Sequence, residues 1–166
     1  MAASNHWGDR VMALPATVPF GGVWTDYVET IYKIYVDQIA NAALTFQTLP
    51  IRCKYVPATN GKHFGFWHVI SEGESEEDRL PDFRRCERIT WIAYLTSNAD
   101  TDADITWWEN KRGSDTHVVI WHEAENFVVI LAKRKDYYLL KTAYCPKSHR
   151  AKTFVKERDN YWKQKG

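Results

Sequence analysis

The sequence has little cysteine and no long apolar run. Its three cysteines among 166 residues are an odd number without a CxxC pair, so we expect neither a disulfide scaffold nor a zinc framework. Residues 1–22 are mixed and contain Pro and Gly, unlike a signal peptide, and no stretch suits a membrane helix. These absences predict a reducing, cytoplasmic setting without a membrane partner. Walker, GxGxxG and GxSxG motifs are also absent.

The charge of the chain is close to neutral but unevenly distributed. The formal net charge is +1, so the total says nothing about partners. Residues 72–82 carry six Asp or Glu against one Arg, whereas residues 133–166 carry eleven Lys or Arg against three Asp or Glu. A basic C-terminal end is compatible with an anionic ligand, but the charge pattern alone favours a solvated basic helix.

Hydrophobic periodicity divides the chain into an arm and one domain. Residues 1–22 contain Pro and Gly breakers and are predicted to form an N-terminal arm, with residues 23–166 as a single α+β domain. Apolar residues at three- and four-residue spacing predict helices over 24–43 and 81–97. Ser148 is predicted to cap a third helix.

The remaining segments are typical of strands. LPIRCKYVP and KHFGFWHVIS flank Asn60-Gly61 and predict an early β-hairpin. ITWWENK, THVVIWHE, NFVVILAKR and DYYLLKTAY follow with short polar connections, which predicts an antiparallel meander. The predicted fold is therefore α+β. A four-stranded antiparallel meander sheet carries an N-terminal, a central and a C-terminal helix, with an early β-hairpin in addition.

The last predicted strand, DYYLLKTAY, ends in polar residues just before the basic segment. Regular alternation would place Leu140, Thr142 and Tyr144 on one face and Lys141 on the other. Polar groups at the end of a buried strand are costly unless they are satisfied, and a pocket for an anion would satisfy several at once. Hydrogen bonds from Thr142 and Tyr144 to neighbouring backbone would serve as well.

Other polar residues are candidates for acid–base chemistry or anion binding. Arg85 and Arg88 lie in one helical sector beside the apolar stripe, where they can either pair with carboxylates or hold a phosphate. His63 and His68 are five residues apart, so on a regular strand they face opposite ways and do not share a metal. The segment WHEAENF offers a His/Glu pair or a hydrophilic hairpin tip, with His117 at the other end of its strand.

No metal or cofactor is predicted. The segment DTDAD lacks the glycine of a calcium loop, and the cysteines and histidines lack ligand spacing. Metal-free RNA cleavage needs a base for the 2′-hydroxyl, cations or donors for the phosphorane oxygens and an acid for the leaving oxygen. A histidine, the two helix arginines and the Lys, Thr and Tyr side chains at the end of the last strand are residues of these types.

Three blocks of sequence carry a resemblance to a known family. HFGFWHVIS, DFRRCERITWI and NFVVIL with YYLLKTAYCP, followed by a basic helix, span residues from about 60 to 160. In order and spacing they resemble the phage-associated branch of the barnase–EndoU–colicin–RelE-like nuclease superfamily. The resemblance implies a small α+β ribonuclease, of the toxin or effector kind, that cuts RNA without metal.

The resemblance also implies a set of site residues. It gives the catalytic positions as His68, Arg85, Arg88 and Thr142. We assign contacts to the substrate to His63, Lys141, Tyr144 and Arg150. The histidine of the family motif is either His68 or His63. The expected partners are RNA and an inhibitor or immunity protein; the alternative is a non-catalytic module that binds nucleic acid or protein.

Overall fold

A computed structural model describes residues 13–73 and 75–166, and five helices lie in these ranges. Residues 1–12 of the predicted arm lie outside the described residues. Residues 13–22 form no helix or strand and lie along the domain, with the Val18 amide donating to the Glu87 carbonyl at 2.8 Å. The helices are α1 (Trp24–Tyr35), α2 (Phe64–Ile70), α3 (Phe83–Glu87), α4 (Ile89–Ser97) and α5 (Ser148–Lys165).

Four of these helices fall in the three segments where the sequence predicts helix, but their bounds differ. The predicted helix over 24–43 leaves α-helical geometry after Tyr35 and continues as a π-helical turn, Val36–Ala40. The predicted helix over 81–97 is two helices, α3 and α4, because Arg88 between them has φ −104° and ψ 19°. The last helix lies where it is predicted, but Ser148 is its first residue and Lys147 is its N-cap, so the predicted cap is one residue off.

The main sheet has six strands in the order β1-β2-β8-β7-β6-β5. A separate two-stranded sheet pairs β3 with β4. The strands are β1 (Thr45–Phe46), β2 (Leu49–Arg52), β3 (Ser71–Glu72), β4 (Leu80–Pro81), β5 (Ile105–Arg112), β6 (Asp115–His122), β7 (Phe127–Lys133) and β8 (Tyr138–Tyr144).

The fold is α+β, but the predicted four-stranded antiparallel meander sheet is wrong. Strands β5 to β8 pair antiparallel in chain order, but β2 adds to β8 in parallel, with Ile51 opposite Tyr138, and β1 pairs with β2. The sheet is therefore mixed and six-stranded, and it curls into a half-barrel. β1 and β2 have two and four residues, which is too short to show a period, yet they bury Phe46 and Ile51 in the core.

The predicted early hairpin is also wrong. Asn60 and Gly61 do form a tight turn with positive φ, closed by Thr59 and Lys62. The chain that follows is not a strand but α2, whose Phe66, Val69 and Ile70 at i, i+3 and i+4 are buried. Aromatic and β-branched residues favour a strand locally, and the burial of this helical stripe overrides that preference.

Both faces of the main sheet are covered, by different helices. On one face the buried side chains pack with those of α1, α2 and α4, including Ile31, Phe66 and Ile92. On the other face, Trp108 and Trp121 pack against Phe154 of α5. Burial on both sides explains the unbroken apolar run of β7, which shows no alternation.

Candidate active site

A β-bulge interrupts β8 in the stretch that ends in polar residues. Ile130 of β7 pairs with Thr142, but the next residue, Leu131, pairs with Leu140. Lys141 is therefore the extra residue on the bulged strand. Bulges of this kind change the direction of side chains and are frequent beside functional sites.

The bulge decides which side chains leave the helical core. Leu140 and Ala143 both pack with α1, α2 and α4, although they are three residues apart. Thr142 and Tyr144 are consequently turned to the opposite face, towards α5, and Tyr144 packs against the second core. The alternation predicted from the sequence, with Thr142 on the same face as Leu140, is wrong for this physical reason.

The turned side chains line a cavity of about 230 Å³ at the edge of α5, which we name the cationic cavity. No carboxylate is among the described residues that line it, whereas three are Lys or Arg. An anion would therefore meet positive charge in the wall. Two carboxylates lie just outside the lining: Glu157 Oε2 is 3.9 Å from Arg112 Nη2, and Asp115 Oδ2 is 3.9 Å from His117 Nε2. The lining residues are His68, Arg112, His117, Val119, Ile130, Lys141, Thr142, Tyr144, Arg150 and Phe154.

Two histidines reach this cavity from distant parts of the chain. His68 lies in the last turn of α2, and His117 lies on β6, on the same face as Val119 and Trp121. Trp121 and Val119 are buried against α5, so alternation along β6 fixes the direction of His117 as well. A pair of imidazoles in one cavity can take and give a proton in a single reaction.

The surroundings of His117 favour its neutral form. Burial lowers the pKa of the imidazole from 6.5, and the nearby positive charges of Lys141, Arg112 and Arg134 lower it further. The Asp115 carboxylate, 3.9 Å from His117 Nε2, acts in the opposite direction and raises the pKa. The lowering causes prevail, so the net shift of the His117 pKa is downward.

Arg85 joins three elements beside the cationic cavity. Its Nη1 donates to the Ser71 carbonyl at 2.5 Å and to Thr142 Oγ1 at 3.4 Å. Its Nε lies 3.5 Å from Asp82 Oδ2, and its guanidinium lies 5.5 Å from the centre of the Tyr144 ring. Burial lowers the pKa of the guanidinium, and the Asp82 charge opposes this. The side chain thus links α3 to β3 and β8.

A neighbouring cavity of about 350 Å³ continues from the cationic cavity. The two share Tyr144 and Arg150, and the second also contains Arg85. It is mixed in charge, because Glu72 and Asp82 lie in its wall as well. Its remaining lining residues are Cys145, Lys147, His149 and Thr153.

Six of the eight site residues predicted from the sequence meet in these two cavities. His68, Lys141 and Thr142 line the cationic cavity, Arg85 lines its neighbour, and Tyr144 and Arg150 line both.

His63 and Arg88 line neither cavity. His63 is the N-cap of α2 and contacts the rings of Tyr32 and Tyr55, with ring centres 5.8 and 4.5 Å away. The guanidinium of Arg88 lies 5.1 Å from the centre of the Trp91 ring, and its Nη1 is 3.3 Å from Glu87 Oε1. Of the two histidines left open by the sequence, the structure places His68 at the cavity.

The sequence reasoning missed two lining residues, Arg112 and His117. The segment WHEAENF directs attention to His122 and its neighbouring glutamates, but His122 is buried at the other end of β6, where it accepts a hydrogen bond from the Glu125 amide at 3.2 Å. The alternation of β6 carried a signal for His117, because Val119 and Trp121 share its face. Arg112 is opposite Asp115 at the end of the β5–β6 hairpin, so its place at the cavity depends on the pairing of these two strands.

Comparisons of the chain with family models, curated proteins and solved structures gave no match. The resemblance to the nuclease superfamily therefore stays a prediction, and the chemistry of the site rests on its geometry. Within residues 13–73 and 75–166, no helix is long and apolar enough to span a bilayer. Over the same residues, His, Cys, Asp and Glu side chains form no group of three or more suited to a metal.

Proposed function

We propose that this protein cleaves RNA at the cationic cavity, without a metal ion, with His68 and His117 as its acid–base pair. The observation that carries the proposal is the convergence of these histidines with Arg112, Lys141 and Arg150 in a cavity whose described walls contain no carboxylate. A phosphodiester is an anion, and its transfer between oxygens needs one proton acceptor and one proton donor.

The reaction follows from the positions of the two imidazoles. Neutral His117 takes the proton of the 2′-hydroxyl, whose oxygen attacks the adjacent phosphorus. The bond from phosphorus to the 5′-oxygen breaks, and protonated His68 supplies the proton that this leaving oxygen needs. The products are a 2′,3′-cyclic phosphate and a 5′-hydroxyl. The lowered pKa of His117 is the reason for giving it the role of base.

The remaining polar groups hold the phosphate. Lys141, Arg112 and Arg150 offset the charge that develops on its non-bridging oxygens. Thr142 and Tyr144 offer hydroxyl donors on the same side of β8. RNA is the partner that this chemistry requires; an inhibitor or immunity protein, a toxin-like role and a cytoplasmic location are further parts of the proposal that come from the sequence.

The test is cleavage of single-stranded RNA in excess EDTA, with analysis of the termini. We expect wild type to yield cyclic phosphate, and His68→Ala and His117→Ala each to lose roughly 10²- to 10⁴-fold in rate, the usual effect of a general acid or base. His63→Gln is the matched control, since His63 lies outside both cavities, and it should cleave at nearly the wild-type rate.

Three results would contradict parts of this proposal. Binding of RNA without cleavage would favour a non-catalytic nucleic-acid-binding module. Cleavage that EDTA abolishes and Mg²⁺ restores would refute the metal-free mechanism. Full activity in His68→Ala or His117→Ala would refute the role of that histidine.

A further inference from the structure

A third cavity lies on the other side of His68. It has a volume of about 390 Å³, within the range of small-molecule sites, and we name it the apolar cavity. Among the described residues, His68 is the one that lines both this cavity and the cationic cavity. Whatever occupies the apolar cavity therefore lies directly beside the proposed chemistry.

Three aromatic side chains of α2 line one side of the apolar cavity. Phe64, Trp67 and His68 are at i, i+3 and i+4 on α2, so they share one face of that helix, and all three are half-buried. The indole Nε1 of Trp67 donates to the Thr59 carbonyl at 2.9 Å, which fixes the ring. Pro57 and Pro81 add to the apolar lining, and Asn60 adds an amide with both donors and an acceptor.

The opposite wall is held in place by Arg79. Its Nη2 donates to the carbonyl of His68 at 2.8 Å and to that of Ser71, and its Nη1 to the carbonyl of Gly73 at 3.4 Å. These bonds tie the segment between β3 and β4 to the end of α2. The guanidinium of Arg79 donates to these backbone carbonyls, and the bonds hold the wall of the cavity in place.

Resting on the proposed function, we infer that the apolar cavity binds the nucleobase next to the scissile phosphate. A nucleotide has an anionic phosphate and a flat aromatic base. The cationic cavity suits the phosphate, and the apolar cavity, which meets it at His68, suits the base. Proteins recognise single-stranded RNA by stacking its bases on aromatic side chains and bonding to their edges. Here Phe64 and Trp67 supply the aromatic surface, and Asn60 supplies groups for the edge.

The experiment is an NMR titration of ¹⁵N-labelled protein, with the Trp67 indole N–H assigned through Trp67→Phe. The probes are the four nucleoside 3′-monophosphates and inorganic phosphate. We expect at least one nucleotide to shift both the Trp67 indole signal and the backbone amide signal of Thr142. Inorganic phosphate should shift Thr142 and leave Trp67 unchanged.

The variant Phe64→Leu keeps an apolar side chain and removes the ring. We expect it to weaken the best nucleotide roughly 5- to 100-fold, the range that loss of one base–aromatic stack represents. Its affinity for inorganic phosphate should not change. Phe83→Leu is the matched control, because Phe83 is 44% exposed and lines neither cavity.

The inference is overturned if no nucleotide shifts Trp67, or if Phe64→Leu weakens phosphate and nucleotide equally. Because the titration requires no cleavage, it separates this inference from the proposed function. A nucleotide that occupies both cavities of a protein that cuts no RNA would uphold the subsite and refute the nuclease. If the protein cleaves RNA but no nucleotide shifts the Trp67 indole signal, the nuclease is upheld and the base subsite is refuted.

Discussion

Arg85 Nη1 lies 3.4 Å from Thr142 Oγ1, a contact between residues 57 positions apart in the chain. The same nitrogen is 2.5 Å from the Ser71 carbonyl, so one guanidinium joins the central helices to the start of the β3–β4 segment and to the last strand. A residue predicted from the sequence as a phosphate ligand is therefore also part of the framework that holds the cavity wall.

The two helix arginines should differ in their effects. Arg85→Gln removes charged hydrogen bonds from a side chain that is 12% exposed, and we expect a loss of about 1–3 kcal/mol in the free energy of unfolding together with slower RNA cleavage. Arg88→Gln is the control: its ion pair with Glu87 is half-exposed, so a loss of less than about 1 kcal/mol and unchanged cleavage are expected. Urea unfolding and RNA cleavage rates are measured for both variants. If Arg85→Gln and Arg88→Gln lose the same stability and activity, the contacts of Arg85 with Ser71 and Thr142 do not support the cavity wall.

Periodicity located the long elements of this fold because each buries a long stripe. β5 to β8 have seven or eight residues each, and their apolar runs are visible without any knowledge of their partners. α2 has seven residues, fewer than two full turns, and its stripe of Phe66, Val69 and Ile70 is too short to distinguish a helix from a buried strand. The two-residue β1 and the parallel pairing of β2 with β8 are decided by tertiary packing.

The candidate site was predictable in its residue types and not in its geometry. A lysine and two hydroxyls at the end of β8 were visible in the sequence, but the bulge at Lys141 depends on how β7 pairs with β8. Without the bulge, Thr142 would face the helical core. Likewise, His68 reaches the cavity because its segment is helical, and the strand predicted there would have given it a different direction.

Lys141 has no ion-pair partner among the described residues, so its charge is available to a phosphate. We expect Lys141→Met to weaken RNA binding and to reduce the slope of log K against log salt concentration by about one, as for the loss of one phosphate contact. Fluorescence anisotropy with labelled RNA at several salt concentrations measures this slope. Lys163→Met, in the exposed last turn of α5, is the control. An unchanged slope in Lys141→Met would place the RNA backbone elsewhere.

His117 should titrate below its usual value of 6.5, mainly because it is buried, with help from Lys141 and Arg112. Removing a positive neighbour raises an imidazole pKa, and removing a negative one lowers it. We therefore expect Lys141→Met to raise the pKa of His117 and Asp115→Asn to lower it, as measured by NMR titration of the imidazole protons. The acidic limb of kcat/KM against pH should move in the same directions.

The same shift links His117 to stability. Because folding lowers its pKa, the unfolded chain takes up the proton first as the pH falls through 6.5. The stability that neutral His117 contributes to the folded protein is fully present above pH 6.5, and it is lost as the pH falls through the lower pKa of the folded state. His117→Gln should flatten this part of the curve of unfolding free energy against pH. If NMR titration gives His117 a pKa above 6.5, both its role as the base and the predicted loss of stability at low pH are refuted.

Gly65 sets how closely α2 approaches α1, and with it the position of His68. A Cβ on this residue would lie 2.7 Å from Tyr35 Oη and 3.0 Å from the Lys54 carbonyl oxygen. Tyr35 is fully buried, and the Gly65 amide donates to that same carbonyl at 2.8 Å, so neither neighbour has room to move. Alanine normally stabilises a helix by about 1 kcal/mol relative to glycine, but overpacking costs about 1–3 kcal/mol.

We therefore expect Gly65→Ala to lower the free energy of unfolding in urea and to slow RNA cleavage, because the face of α2 that carries His68 must move. Gly21→Ala is the control, since a Cβ there meets no atom within 4 Å and should leave both quantities unchanged. A more stable Gly65→Ala protein would mean that helix propensity outweighs the close approach. The packing of α2 against Tyr35 would then not be what positions His68 at the cavity.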